Sequence, residues 1–156
     1  MYKKLQQQLD GLSINIFYGL LAYMPFHIFI STVIGANIGG LAVLKVLKDI
    51  VLMFGFCSIL VISVRKGWFK KWLTNKLLVV ILAYAALTVL LALVRPTDPD
   101  AEILGIVYNL RFLVFFLYGW LLVKNFPDRP ILQTSLQIAT IAGVIVALLG
   151  VLQYVV

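Results

Sequence analysis

A single arginine, Arg111, interrupts an apolar run from Ile103 to Val123 that is otherwise long enough to cross a bilayer. A guanidinium at the centre of such a helix costs about 2.5–3.5 kcal/mol on insertion scales. At 1.5 Å per residue from Ile103, it lies roughly 12 Å into a hydrocarbon layer of about 30 Å. Arg111 therefore needs an anion, and its planar fork of donors matches a phosphate bidentately. Two more cations, Lys45 and Lys48, stand one helical turn apart on one face at the start of another apolar run. Three cations at similar depth, with few acids beside them, make a pocket for a phosphorylated lipid headgroup. The competing readings are structural. Arg111 snorkels outward past Val107 and Tyr108, or pairs with Asp49 or Glu102, while Lys45 and Lys48 act as interfacial anchors.

Other residues offer less chemistry. There is no phosphate-cradling Walker loop, no metal-spaced set of His and carboxylates and no nucleophile elbow. Gly35, Gly39 and Gly40 join two apolar runs without a preceding strand, which makes a turn of them. His27 follows Pro25, a residue that interrupts the helix ladder and frees a carbonyl to which a neutral, packed histidine can donate. Cys57 is the sole cysteine and falls in an apolar run, so neither an internal disulfide nor a cysteine metal cluster is available. No catalytic, cofactor-binding or metal-ligating residue is assigned.

The elements that position these residues follow from composition. At 63% hydrophobic and 12% charged, with a mean hydropathy of +1.06, the chain is far more apolar than a soluble domain. Its runs are apolar all round, which fits lipid rather than a soluble core. The reading is a single all-α transmembrane domain over residues 1–156, a polytopic helical bundle of about five spans. These cover about residues 12–34, 47–64, 77–94, 103–123 and 136–156. The first run is too long for a signal-peptide core and lacks a small-residue cleavage site.

The net charge of +7 is concentrated in the connections. With the N-terminus inside, the cytoplasmic segments hold Lys3, Lys4, Arg65, Lys66, Lys70, Lys71, Lys76, Lys124 and Arg129, against Lys45, Lys48 and Arg95 outside. That asymmetry sets an N-in, C-out topology. In the Arg65 to Lys76 loop, Trp68, Phe69 and Trp72 interleave with cations and read as an interfacial belt, not a nucleic-acid surface. The Arg95 to Glu102 segment, with its two prolines and short acids, reads as a solvated turn. The last run carries Ala139, Gly143 and Ala147 at four-residue spacing, a stripe on which a neighbouring helix can pack closely. Because Gln153-Tyr-Val-Val ends that run without a polar tail, the chain is expected to be the N-terminal piece of a longer membrane protein.

The stretches Leu21-Ala-Tyr-Met-Pro-Phe-His-Ile-Phe, Val43-Leu-Lys-Val-Leu-Lys-Asp-Ile-Val-Leu, Tyr108-Asn-Leu-Arg-Phe-Leu-Val-Phe-Phe and Gly150-Val-Leu-Gln-Tyr resemble the N-terminal half of the O-antigen ligase and polymerase family. The resemblance implies a polytopic glycosyltransferase of the bacterial cytoplasmic (inner) membrane, acting in cell-surface polysaccharide synthesis. Such an enzyme moves a glycan from undecaprenyl-pyrophosphate to an acceptor without a nucleotide sugar or an obligatory metal. Arg111 occupies a Leu-Arg-Phe position that looks like one of the family's carrier-binding arginines. The family's catalytic histidine belongs to a later periplasmic loop that nothing here matches, and His27 is not its counterpart. The resemblance thus implies a piece holding part of the carrier site and inactive alone. The alternative is a transporter or transporter subunit with Arg111 as an intramembrane substrate or counter-ion site.

The topology is testable by cysteine scanning on a Cys57→Ser background. Positions near Lys70 are expected to resist an impermeant thiol reagent applied from the periplasmic side, and labelling there would reverse the orientation.

Overall fold

Eleven residues rich in Lys and Gln precede the first apolar run at Leu12, yet the helix that carries it begins at Tyr2. The computed structural model describes residues 2–27, 30, 41–67, 75–94 and 99–155. It contains α1 (Tyr2–Tyr23), a 3₁₀ turn (Met24–Phe26), α2 (Leu41–Arg65), α3 (Lys76–Val94), α4 (Pro99–Asn125) and α5 (Ile131–Val155). No strand occurs among the described residues, and the chain is all-α. Helices α2, α3 and α4 enclose the stretches predicted over 47–64, 77–94 and 103–123. Helix α1 starts before Leu12 because the Lys, Gln and Leu residues there are good helix formers. Helix α5 starts before Leu136 because the turn ending at Pro130 delivers the chain there, the Pro130 carbonyl accepting the Thr134 N–H at 2.9 Å, and the Ser135 hydroxyl donates back to the Ile131 carbonyl at 2.7 Å. Hydropathy reports where a helix would meet hydrocarbon, not where its hydrogen bonds begin.

Helix ends carry local signals. Pro25 lacks an N–H, and α1 gives way to the 3₁₀ turn there. Helix α2 ends at Gly67, whose φ of +71° is the left-handed conformation that glycine adopts without strain. Asn75 starts α3, its side-chain oxygen accepting the Leu77 N–H at 3.0 Å. Pro99 opens α4, where a missing N–H costs nothing. The Gly35 to Gly40 connection, the belt at Trp68, Phe69 and Trp72, and residues 95–98 of the acidic turn lie outside the described residues.

The helices alternate in direction. Asp49 of α2 meets Arg111 of α4, and Lys66 just after α2 meets Asn125 at the end of α4, so these two helices run parallel. Helix α1 opposes them: Ser13 contacts Tyr118, whereas Phe17 stacks on Phe115 at 5.3 Å. A tight turn over Phe126 to Pro130, closed by Arg129 N–H to the Phe126 carbonyl at 3.1 Å, returns the chain into α5. Helix α3 packs on α4, burying Leu78 and Ile81. As a result Arg65, Lys66, Lys124 and Arg129 gather at one end of the bundle, with Asp49 and Arg111 towards the other.

The core forms where α1, α2 and α4 meet. Leu52, Ile59 and Ile62 of α2 recur at helical spacing against Tyr118, Leu121 and Leu122 of α4, joined by Ile14, Phe17 and Leu20 of α1. Its centre is a polar knot: the Tyr118 hydroxyl donates to the Ser13 carbonyl and lies 3.3 Å from the Ser13 hydroxyl. Gly55 permits this approach, because a Cβ there would stand 2.6 Å from the Tyr118 oxygen. Gly119 likewise admits the Phe17 ring.

Outside this core the surface is apolar. Val80, Leu90, Leu136, Ile141, Leu148 and Leu152 are all more than half exposed. Soluble monomers rarely present contiguous apolar patches beyond a few hundred Å². The segments Val46–Arg65 and Ile131–Leu152 are long and apolar enough to cross a membrane. Hydroxyls are satisfied within their own helices, Ser58 on the Phe54 carbonyl and Thr88 on the Tyr84 carbonyl, each at 2.9 Å. The Ala139, Gly143 and Ala147 stripe faces outward, with nothing within 4 Å of a Cβ built at Gly143.

Gly55→Ala should destabilise the chain by about 1–3 kcal/mol through overpacking against Tyr118 and Ile16. Gly143→Ala, in the interior of α5 with open space around it, should instead stabilise by about 0.5–1 kcal/mol. Unfolding in mixed micelles measures both, and equal effects would remove Gly55 from the core.

Candidate functional site at Arg111

Halfway along α4 the apolar sequence places a cation on the face that meets α2. Arg111 Nη1 donates to Asp49 Oδ1 at 3.3 Å and approaches Oδ2 at 3.5 Å. These distances are longer than the 2.7–2.9 Å of a tight charge-assisted bond. The guanidinium also covers the Tyr108 ring, one turn earlier on α4, with its carbon 4.9 Å from the centroid. Its side chain is 25% exposed and that of Asp49 is 36% exposed. The site is thus a loosely closed pair at the bundle surface, with an aromatic face beneath the cation.

The pair follows from register. Asp49 sits three residues before Leu52 on the α2 seam, and Arg111 seven before Tyr118 on the α4 seam. Each lies two turns or less outside the polar knot, and parallel helices bring them to one level. Of the two acids considered from sequence as partners of Arg111, Asp49 is in contact with it. The side chain of Glu102 lies outside the described residues.

Lys48 precedes Asp49 and points elsewhere. It is 9% exposed and lines a cleft of about 330 Å³ between α1 and α2, with Leu20, Tyr23, Ile30 and Val51. One α2 turn therefore presents an acid towards α4 and a cation towards α1. The side chain of Lys45 lies outside the described residues. At the same end of the bundle, the Tyr23 hydroxyl lies 3.0 Å from His27 Nδ1. This side-chain link spans one helical turn, and the two rings lie 5.5 Å apart.

A second polar cluster lies at the far end and was not singled out from sequence. Buried Asn125 donates to the Ser63 hydroxyl at 2.7 Å and to the Leu121 carbonyl at 2.9 Å. Lys66 Nζ donates to the Asn125 carbonyl at 2.7 Å, capping the end of α4. The available signal was a serine and an asparagine at the ends of two apolar helices, where a facing helix can supply a partner.

Comparison with protein-family models, curated proteins and solved structures finds no match for the chain.

The pair should show energetic coupling. Asp49→Asn and Arg111→Gln are each expected to destabilise the chain, and the double variant by less than their sum. The expected coupling is on the order of 1 kcal/mol in a double-mutant cycle. Strict additivity would mean that the two groups are independently solvated.

Proposed function

We propose that the chain is a five-span part of an O-antigen ligase-like glycosyltransferase of the bacterial cytoplasmic membrane, and that Arg111 binds the pyrophosphate of its undecaprenyl carrier. The observation that carries this reading is the loose Arg111–Asp49 pair over Tyr108. Contacts of 3.3 and 3.5 Å leave a pyrophosphate able to compete for the guanidinium, because its oxygens accept shorter and bidentate bonds. Asp49 then serves as the resident counter-ion that keeps Arg111 oriented until the carrier arrives.

Five alternating helices support the span count. At 1.5 Å per residue, the 25-residue α2 and α5 reach roughly 37 Å, more than a hydrocarbon core of about 30 Å. The 19-residue α3 reaches roughly 28 Å, enough with slight bilayer thinning. The cations gathered beside Lys66 and Lys124 belong to the cytoplasmic side under the positive-inside rule, which puts Arg111 towards the periplasmic leaflet. In the complete enzyme Arg111 would stabilise charge developing on the pyrophosphate leaving group. Lys48 and Lys45 would serve as auxiliary cations, with Lys48 reaching the headgroup only by leaving the α1–α2 cleft. A glycan acceptor and the remaining spans of the parent, packing on Ala139, Gly143 and Ala147, are the proposed partners.

A transporter or transporter subunit is the second reading, and the same pair favours it. Opposite charges facing one another between membrane helices are a recurrent ion or substrate site.

Binding of undecaprenyl-pyrophosphate, undecaprenyl-phosphate and the free alcohol to the purified chain tests the proposal. Pyrophosphate is expected to bind most tightly. Arg111→Lys should weaken it roughly tenfold, because an ammonium keeps the charge but loses the fork. Equal binding of all three lipids, or of the Lys and Gln variants and the original chain, would reduce Arg111 to a structural ion pair. Uptake of a small anion by proteoliposomes, abolished by Arg111→Gln, would favour the transporter.

A further inference from the structure

At the end of the bundle opposite Arg111, two cations from different segments share one aromatic ring. Lys66, just beyond α2, has its Nζ 4.4 Å from the Phe126 centroid, and Arg129, in the turn before α5, has its guanidinium carbon 5.7 Å away. The ring is 8% exposed and belongs to the core cluster, so its position is set by packing. Lys66 is further fixed by its bond to the Asn125 carbonyl. Both cations are exposed, and among the described residues neither lies within ion-pair distance of a carboxylate. Two like charges held together around one ring make a site for an anion.

The surroundings identify the class of anion. Val61 and Val64 on α2, Val123 on α4 and Leu132 on α5 lie within about two turns of the cations and are exposed. Of these, Val123 and Leu132 line one apolar cleft of about 470 Å³ between α4 and α5, beside Phe126 and Arg129 in the chain, which suits an amphiphile with an anionic head and hydrocarbon tails. A free phosphate would use only the cations. An acidic peptide would leave the apolar surface uncovered.

We propose that Lys66 and Arg129, ordered around Phe126, bind the phosphodiester of an anionic glycerophospholipid, with its acyl chains along the α4–α5 cleft at Val123 and Leu132. The arginine fork and the lysine donors not used by Asn125 meet the phosphate oxygens. The site is separate from Arg111 and depends only on the chain lying in a bilayer.

Reconstitution of the full chain in phosphatidylcholine nanodiscs with added phosphatidylglycerol tests it, the bound lipids being counted by native mass spectrometry. The chain should retain phosphatidylglycerol in preference to phosphatidylcholine. Each lost cation should reduce that preference roughly fivefold, and Lys66→Gln with Arg129→Gln roughly 25-fold. Lys66→Arg should keep it. Phe126→Leu should weaken it with both charges intact, which separates the site from mere charge. Arg65→Gln with Lys124→Gln, removing two exposed cations nearby, should leave most of it. Unfolding in micelles identifies variants that fail by losing the α4 cap. The proposal is overturned if Lys66→Gln with Arg129→Gln keeps the preference, or if the Arg65 and Lys124 pair loses as much. It is also overturned if millimolar inorganic phosphate displaces the lipid. A chain that fails to enter bilayers at all would remove the membrane setting for both sites.

Discussion

A guanidinium on an apolar helix must end against something negative, and the way Arg111 does so sets the relation between α2 and α4. Asp49 meets it only if the two helices are parallel and at one register. That register also brings Gly55 beneath the Tyr118 ring and Lys66 to the α4 terminus. A one-residue slip would turn Asp49 by about 100° around α2, away from the cation. It would also drive a side chain into the tyrosine. The ion pair is loose and partly exposed, so its contribution lies more in alignment than in stability.

Packing around this axis uses polar groups sparingly and pairs most of them, with Asp10 Oδ1 and Asn125 Oδ1 the buried side-chain atoms left without a partner among the described residues. The Tyr118 hydroxyl, the Ser63 hydroxyl and the Asn125 amide hydrogens all find acceptors within or between helices. In an apolar setting each unsatisfied group costs several kcal/mol, which leaves few arrangements of the three helices. Helix α5 is different: it touches α1 and the 3₁₀ turn along one face and leaves the rest of its apolar surface bare. Its Ala139, Gly143 and Ala147 stripe is outside the described core.

The two ends of the bundle differ in chemistry for the same reason. Cations released at the α2 and α4 C-termini offset the helix dipoles and collect around Phe126. At the other end a single acid faces a single arginine. One end therefore accumulates positive charge, whereas the other holds the Arg111–Asp49 pair with Lys48 on the neighbouring face of α2.

Sequence alone determined the helical class, because apolar runs of membrane-crossing length leave the backbone no other way to satisfy its hydrogen bonds. It also singled out Arg111, since an isolated guanidinium in such a run is costly wherever it points. Asp49 was legible only as one of two acids within reach. Its contact with Arg111 depends on helix direction and register, which no local pattern encodes. Lys48 stands beside Asp49 in sequence yet lines a different cleft, because successive residues on a helix diverge by about 100°. Gly55 and Ser13 gave no signal of their roles. A small residue or a hydroxyl in an apolar helix acquires meaning only from the side chain that another helix brings against it, and that meeting is decided by the tertiary structure.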